Sequence, residues 1–242
     1  MFISKEPFLL EKKGIKKYFK IQKENKEAIT LLRKYPLCSY MTDLWGSMKG
    51  GLFEASNNHD FNITDTIARI NTMPCGETEI ICANKKAYKY MRYKTNKHSR
   101  MPLAELHFYT QDSTGIEKEI KGQPIGFDID SLKINNAFDY DLETVASAHT
   151  VNYWIGIKSR EKALINKIKY APSSDTNNIE SGHLYELYYF DTKWNLLERR
   201  LSTSNSLTFE NVPKGALLLL KDKTKGKEER IFEYANNKQV WY

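Results

Sequence analysis

Cysteine is scarce in this chain: three residues in 242, Cys38, Cys75 and Cys82. An odd count excludes a complete disulfide framework, and the spacing fits no metal-binding pattern. The thiols read as buried or half-buried, with a Cys75–Cys82 bridge across a hairpin as the alternative. Long apolar runs are missing as well. The longest, Ala216–Leu220, is one strand long, against the roughly 20 residues a membrane helix needs, so no membrane insertion is expected. The opening MFISKEPFLL has neither the apolar core nor the small-residue cleavage site of a signal peptide, which leaves an intracellular protein or a mature or truncated piece of a longer chain, the second being the expectation. Absent too are the G-x-S-x-G, H-E-x-x-H, P-loop and G-x-G-x-x-G patterns. The five histidines are scattered. No catalytic activity is expected.

What the chain does have is apolar and aromatic surface. Hydrophobic residues make up 40% and aromatics 12%, enough for a packed core and too much for global disorder. The length suits one large domain or two of roughly 100 to 120 residues. Lysine and arginine exceed the acids by 37 to 30, a net charge of +7. These cations are spread along the chain and mixed with acids, whereas nucleic-acid binders cluster them around aromatics. The densest patches, EKKGIKKYFK (11–20) and KDKTKGKEER (221–230), read as solvated loops or strand edges, and no nucleic-acid partner is expected.

The periodicity is that of strands. YFKI (18–21), AITLLRKY (28–35), GLFEAS (51–56), YKYMRYK (88–94) and LAELHFY (103–109) are short, rich in aromatic or β-branched residues, and bounded by Gly, Pro, Asn or Asp. YWIGI (153–157), LINKIKYA (164–171), LYELYYF (184–190), SLTFE (206–210) and ERIFEY (229–234) repeat the style. Such spacing predicts an all-β sandwich or barrel. Helical periodicity is weak everywhere; KENKEAITLLRKY reads as a loop followed by a strand.

The two halves resemble each other in order. Each has an apolar strand ended by proline (Pro36, Pro172), a polar loop, a glycine (Gly51, Gly182), then LFE or LYE. Each closes on a Glu at an aromatic strand, Glu105 and Glu229. An ordered set of matches argues for a repeat. The expected division is 1–114 and 115–242, at the polar QDSTGIEKEIKG. The first copy is short of its opening strands.

Particular motifs point further. The chain has Ala137-Phe138-Asp139-Tyr140-Asp141 with Thr144, then Trp154-Ile155-Gly156-Ile157, Ile168-Lys169-Tyr170-Ala171-Pro172 and Gly182-His183-Leu184-Tyr185-Glu186-Leu187. It continues with Trp194, Asn211-Val212-Pro213-Lys214-Gly215-Ala216-Leu217, Glu228-Glu229-Arg230-Ile231-Phe232 and a KQVWY ending, while MKGGLFEASNNHDF stands in the first half. This set resembles the discoidin family, the coagulation-factor C-type modules, strongly over 125–242 and less so over 15–112. It is closest to tandem modules at the C-termini of large bacterial secreted proteins, some with an upstream transglutaminase-like domain. The resemblance implies two tandem galactose-binding-like jelly-roll β-sandwiches. It implies a non-catalytic accessory module that recognises carbohydrate or a surface glycoconjugate, within a larger secreted or cell-surface protein and beside its other domains. A structural spacer or protein-docking role is the alternative.

The resemblance also implies a structural Ca²⁺ held by Asp139, Asp141, the Thr144 region and Glu229; hard cations favour oxygen ligands supplied by loops. Two positions depart from the pattern: Tyr140 stands where the family has glycine, and Ser173 where it has arginine. If position 140 needs a positive φ, tyrosine is costly there. A sugar site needs an exposed aromatic platform with fixed polar groups. The candidates are Tyr140, His149, Asn177, Asn178 and His183, with Trp45, Tyr40 and His59 in the first half. Trp154 and Trp194 read as core or as its cover.

Overall fold

The computed structural model describes residues 6–74, 76–97, 99, 102–148, 150–226 and 229–242. The chain is mostly antiparallel strand, as expected. It forms two compact units, but not at the expected division. One is built from 1–36 and 177–242, the other from 37–176. The segment read as a linker, 111–122, lies inside the second unit. Asp112 Oδ1 accepts from the amides of Thr114 and Ile116, which folds QDSTGI into a tight turn, so a polar glycine-containing stretch here joins two paired strands.

In chain order, the first unit begins with β1 (Phe8–Glu11), β2 (Gly14–Tyr18) and β3 (Gln22–Leu31). The strand β3 takes in the KENKE stretch expected to be a loop. The second unit follows. It opens with helix α1 (Ser39–Ser47), which the strand reading missed. Its signal was present: Met41, Leu44, Trp45 and Met48 recur at helical spacing and all meet the core.

Nine strands follow: β4 (Leu52–Ser56), β5 (Asp65–Arg69), β6 (Thr78–Ile81), β7 (Tyr88–Lys94), β8 (Leu103–Gln111), β9 (Glu117–Glu119), β10 (Gly122–Phe127), β11 (Trp154–Ala163) and β12 (Lys167–Pro172). They make a five-stranded sheet, β10-β11-β7-β4-β5, and a four-stranded one, β6-β12-β8-β9. Alternate residues of both sheets turn into one core. Phe53, Met91, Tyr93, Ile155 and Ile157 come from the first sheet, and Leu106, Phe108, Ile168 and Tyr170 from the second. The rings of Phe53 and Tyr170 meet across the sandwich at 5.1 Å. Gly156 is obligatory: a Cβ there would sit 2.0 Å from the Met91 carbonyl oxygen on the neighbouring strand. The strands missing from the first copy are therefore supplied by β10, β11 and β12, which the sequence comparison had assigned to the second.

The chain then returns to the first unit with β13 (Leu184–Asp191), β14 (Lys193–Leu201), β15 (Leu207–Lys214), β16 (Leu218–Asp222), β17 (Phe232–Ala235) and β18 (Lys238–Trp241). The sheet β14-β13-β16-β17-β18 packs on a ribbon of β15 and β3. Ile29 and Leu31 from β3 join Tyr185, Leu187, Phe209, Leu218 and Phe232 in its core. Asn236 and Asn237, both at positive φ, make the turn between β17 and β18.

Candidate functional site

In the second unit, the outer face of the five-stranded sheet carries a row of residues across three strands. Tyr90 on β7 lies opposite Lys158 on β11, which lies opposite Gln123 on β10. Along β11, Trp154 occupies the same face. Beneath it the buried Glu54 and Arg92 pair at 2.6 Å. The Arg92 guanidinium lies 3.9 Å from the Phe61 ring centroid and 5.0 Å from that of Trp154. Phe61 and Trp154 thus shield a buried ion pair while their cation–π contacts fix both rings. Trp154 was expected in or over the core. It does cover Arg92, and it also lines an open groove of about 570 Å³ with Tyr90, His59, Gln123, Ile125 and Lys158. His59, exposed in the loop after β4, is the one sugar candidate among the described residues that reaches this groove.

The Asp139 loop forms a second feature of the same unit. Asp139 Oδ1 accepts from the Asp141 amide and Oδ2 from Thr144 Oγ1 at 2.8 Å. Tyr140 adopts φ 65°, the left-handed conformation that favours glycine. Its ring compensates by stacking on His107 at 4.3 Å and 14°, and its hydroxyl bonds Glu119 and accepts from Lys121. Behind it, buried His107 sits between two carboxylates: Nε2 is 2.6 Å from Glu105 and Nδ1 2.8 Å from Glu119. Burial alone would lower the His107 pKa, but the hydrogen bonds to the two carboxylates outweigh it and raise the pKa above the ordinary imidazole value. Glu105 is pushed upward by its burial; His107 opposes the shift and the neighbouring Asp139 carboxylate adds to it. Glu105 Oε1 is buried and has no hydrogen-bond partner among the described residues.

Glu229, expected to complete a Ca²⁺ cage with Asp139, belongs to the other unit, where it pairs with Lys221 at 3.3 Å. The carboxylate brought to the Asp139 loop is Glu105. The signal for this is in the sequence, since Glu105 stands in the equivalent A-E-L-H-F-Y strand. Asp141 accepts from the Glu143 amide and turns the chain.

The other sugar candidates are dispersed. Trp45 is fully buried and its Nε1 donates to the Ser173 carbonyl, so it is a core residue and no platform. Tyr40 is exposed at the start of α1. Asn177 and Asn178 are buried, and Asn178 accepts from Arg33 at 2.6 Å. His149 lies outside the described residues, as does Cys75, while Cys38 and Cys82 are free thiols. Burial pushes the Cys82 thiol up to about 11, which leaves it protonated and unreactive at neutral pH. Trp194 packs edge-on against Phe190 at the β13–β14 turn.

His183, with Glu180 and Asp222, belongs to a cluster in the first unit whose ligand atoms lie within 4.8 Å of one another. A cation already occupies it. The ammonium of Lys34, whose side chain is 1% exposed, is 2.6 Å from Asp222 and 3.8 Å from Glu180. Burial would raise the Asp222 pKa, yet Lys34, His183 and the Lys225 amide overcome it and hold the carboxyl at about 2. The buried Lys34 ammonium makes this a structural ion cluster, in which Glu180 Oε1 has no hydrogen-bond partner among the described residues.

No protein-family profile, curated protein or solved structure matches the chain.

Proposed function

We propose that the chain is a non-catalytic carbohydrate-binding module of galactose-binding-like type, within a larger secreted or cell-surface protein. The observation that carries this reading is the groove on the second unit. It presents two aromatic rings, Trp154 and Tyr90, beside His59, Gln123 and Lys158. Aromatic faces take the C–H faces of sugar rings, and polar groups fixed on strands orient the hydroxyls. The platform is preorganised, because Trp154 is held by Phe61 and Arg92 before any ligand arrives. The discoidin-like motifs of the sequence support the same reading.

Calcium belongs to this proposal. The fit rests on Glu105 Oε1, a buried carboxylate oxygen without a donor beside Asp139. Asp139 and Glu105, with carbonyls of the loop, would hold the ion and stiffen that end of the sandwich.

Affinity electrophoresis of the purified chain through a panel of polysaccharides tests the function. Retardation by at least one of them is expected, reduced tenfold or more in Tyr90→Ala and in Gln123→Ala, both of which leave Arg92 covered. Migration unchanged in every gel, or binding indifferent to both variants, would remove the groove as a sugar site. The alternative is a spacer or docking piece, favoured by exposed Phe127 and Leu132 beside the groove. It predicts no retardation and self-association abolished by Phe127→Ser.

A further inference from the structure

Next to the groove, and continuous with it through Gln123 and Lys158, lies a pocket of about 680 Å³ on the same face. Its charged lining is all cationic: Lys89, Lys121, Lys158 and Arg160. Lys121 is committed to Glu119 and Tyr140. Lys89, Lys158 and Arg160 make no ion pair with any described carboxylate. The fold builds this gathering. Lys158 faces Tyr90 across the β11–β7 ladder, and the register then slips between Lys158 and Ala163. Buried Ser159 fastens the slipped segment by donating to the Lys89 carbonyl at 3.0 Å and the Glu161 carbonyl at 2.5 Å. Arg160 is thereby held in the pocket wall beside Lys89. Bulges commonly re-aim a side chain in this way.

The distribution of charge along the cleft is one-sided. The basic pocket forms one end. At the other end the groove is lined by Ile125, Ile129, Ser131 and Ile134, with no lysine or arginine among them. A single-stranded nucleic acid carries a charge at every nucleotide and is tracked by a basic stripe running the length of its groove. This cleft instead fits a ligand with an anionic group at one end and uncharged rings at the other.

We propose, resting on the carbohydrate-binding reading, that the ligand is an acidic glycan. Its sulfate or carboxylate enters the Lys89–Lys158–Arg160 pocket while the neighbouring sugar rings lie on Tyr90 and Trp154. Three unneutralised cations in one pocket repel one another, and an anion relieves that repulsion; a neutral sugar does not. Confinement of the charge to one end sets the direction in which the oligosaccharide lies along β10 and β11.

The test measures binding of the full chain to four probes at low and at physiological salt: dextran sulfate, polygalacturonate, a neutral galactan and an oligothymidylate. At least one acidic polysaccharide is expected to bind tenfold or more tightly than the galactan, with affinity falling as salt rises. Which of the two wins distinguishes sulfate from carboxylate. In Lys89→Ala/Arg160→Ala the acidic-to-neutral ratio should fall toward one. Tyr90→Ala should weaken the acidic polysaccharide as well, since a bare electrostatic surface would ignore the ring. Several outcomes overturn the proposal. If the galactan binds as well as the acidic polymers and the double variant changes nothing, the ligand is neutral and the carbohydrate reading stands alone. If acidic binding ignores Tyr90→Ala, charge alone is responsible. If the oligothymidylate binds more tightly than either acidic polymer, the partner is a nucleic acid. If no polysaccharide binds, both readings fall together.

Discussion

In the unit formed by 1–36 and 177–242, the buried carboxylate of Asp222 meets the Lys34 ammonium at 2.6 Å, with His183 and Glu180 beside them. In the unit formed by 37–176, the buried carboxylate of Glu105 meets His107 at 2.6 Å, with Glu119, Lys121 and Asp139 around them. The first cluster carries its own cation at its centre. The second centres on His107, its ammonium Lys121 lying exposed, and each cluster leaves one buried carboxylate oxygen without a hydrogen-bond partner among the described residues, Glu180 Oε1 in the first and Glu105 Oε1 in the second. Burying a charge costs several kcal/mol unless it is paired; the buried Lys34 ammonium supplies that pairing in the first cluster, whereas buried Glu105 in the second meets only His107. The comparison teaches why the acidic group that looks most like a metal site by proximity is the closed one. What separates the two is the buried Lys34 ammonium, which the second cluster has no counterpart for among the described residues.

The sharpest way to break the comparison is to remove the internal cation. Lys34→Met leaves Asp222 buried without its ammonium and should destabilise the first unit by about 3–5 kcal/mol, the usual cost of breaking a buried pair from one side. Adding Asp222→Asn, which keeps an acceptor for the Thr224 and Lys225 amides, should recover most of that loss. Urea denaturation of the single and double variants checks both. A single variant as stable as the parent would show that Lys34 neutralises nothing.

The second cluster is tested by supplying a cation. Ca²⁺ at a hundredfold excess over its dissociation constant should stabilise the second unit by roughly 2–3 kcal/mol, a rise of several degrees in Tm. Asp139→Ala and Glu105→Gln should abolish the rise, while Glu229→Ala should keep it, because Glu229 lies in the other unit. A shift lost in Glu229→Ala, or no shift in the parent chain, would return the Asp139 loop to a plain turn.

Much of this was legible in the sequence, though not its connectivity. Strand periodicity located YKYMRYK to the residue, as β7 (Tyr88–Lys94), because alternating aromatics in a half-buried strand leave little freedom of register. The internal repeat pointed to real strands too: Glu54 in LFE and Glu186 in LYE each pair with an arginine, at 2.6 Å in both cases. What failed was the assumption that a unit is contiguous in sequence. Periodicity is local, whereas the choice of partner strand is made across the core, and β8 pairs with β12 some sixty residues later. Helix α1 spans only nine residues, too few for a helical period to stand out against the strand-like stretches on either side. The groove was legible only in part, since Trp154 and Tyr90 come together through a ladder between β11 and β7 that no spacing rule reveals.

The pH response of the closed cluster should be visible as acid sensitivity. The folded Asp222 carboxyl is held at about 2, below its unfolded value of 3.8. A depressed acid contributes stability that is fully present above the unfolded pKa and is lost as pH falls through the folded one. The loss therefore falls between about pH 4 and pH 2, and amounts to roughly 2 kcal/mol from the size of the shift. Asp222→Asn should flatten the stability of the first unit across that window. Equal acid sensitivity in the variant would assign the loss to other carboxylates.

The smallest effect concerns Tyr140, where the open cluster meets the loop. Its φ of 65° costs a residue with a Cβ about 1–2 kcal/mol. The stack on His107 and the hydroxyl's bonds to Glu119 and Lys121 offset that cost. Two substitutions separate the terms. Tyr140→Ala keeps the strain and loses the contacts, whereas Tyr140→Gly loses the contacts and the strain together. Glycine should therefore be more stable than alanine here by about 1 kcal/mol, the reverse of the usual order at an unstrained site. It should also lie within about 1 kcal/mol of the parent tyrosine. Chemical denaturation of the three chains gives the order directly. Alanine equal to or above glycine would mean that the loop relaxes away from the left-handed conformation once the ring is gone. The stack on His107 would then be what bends the backbone at position 140.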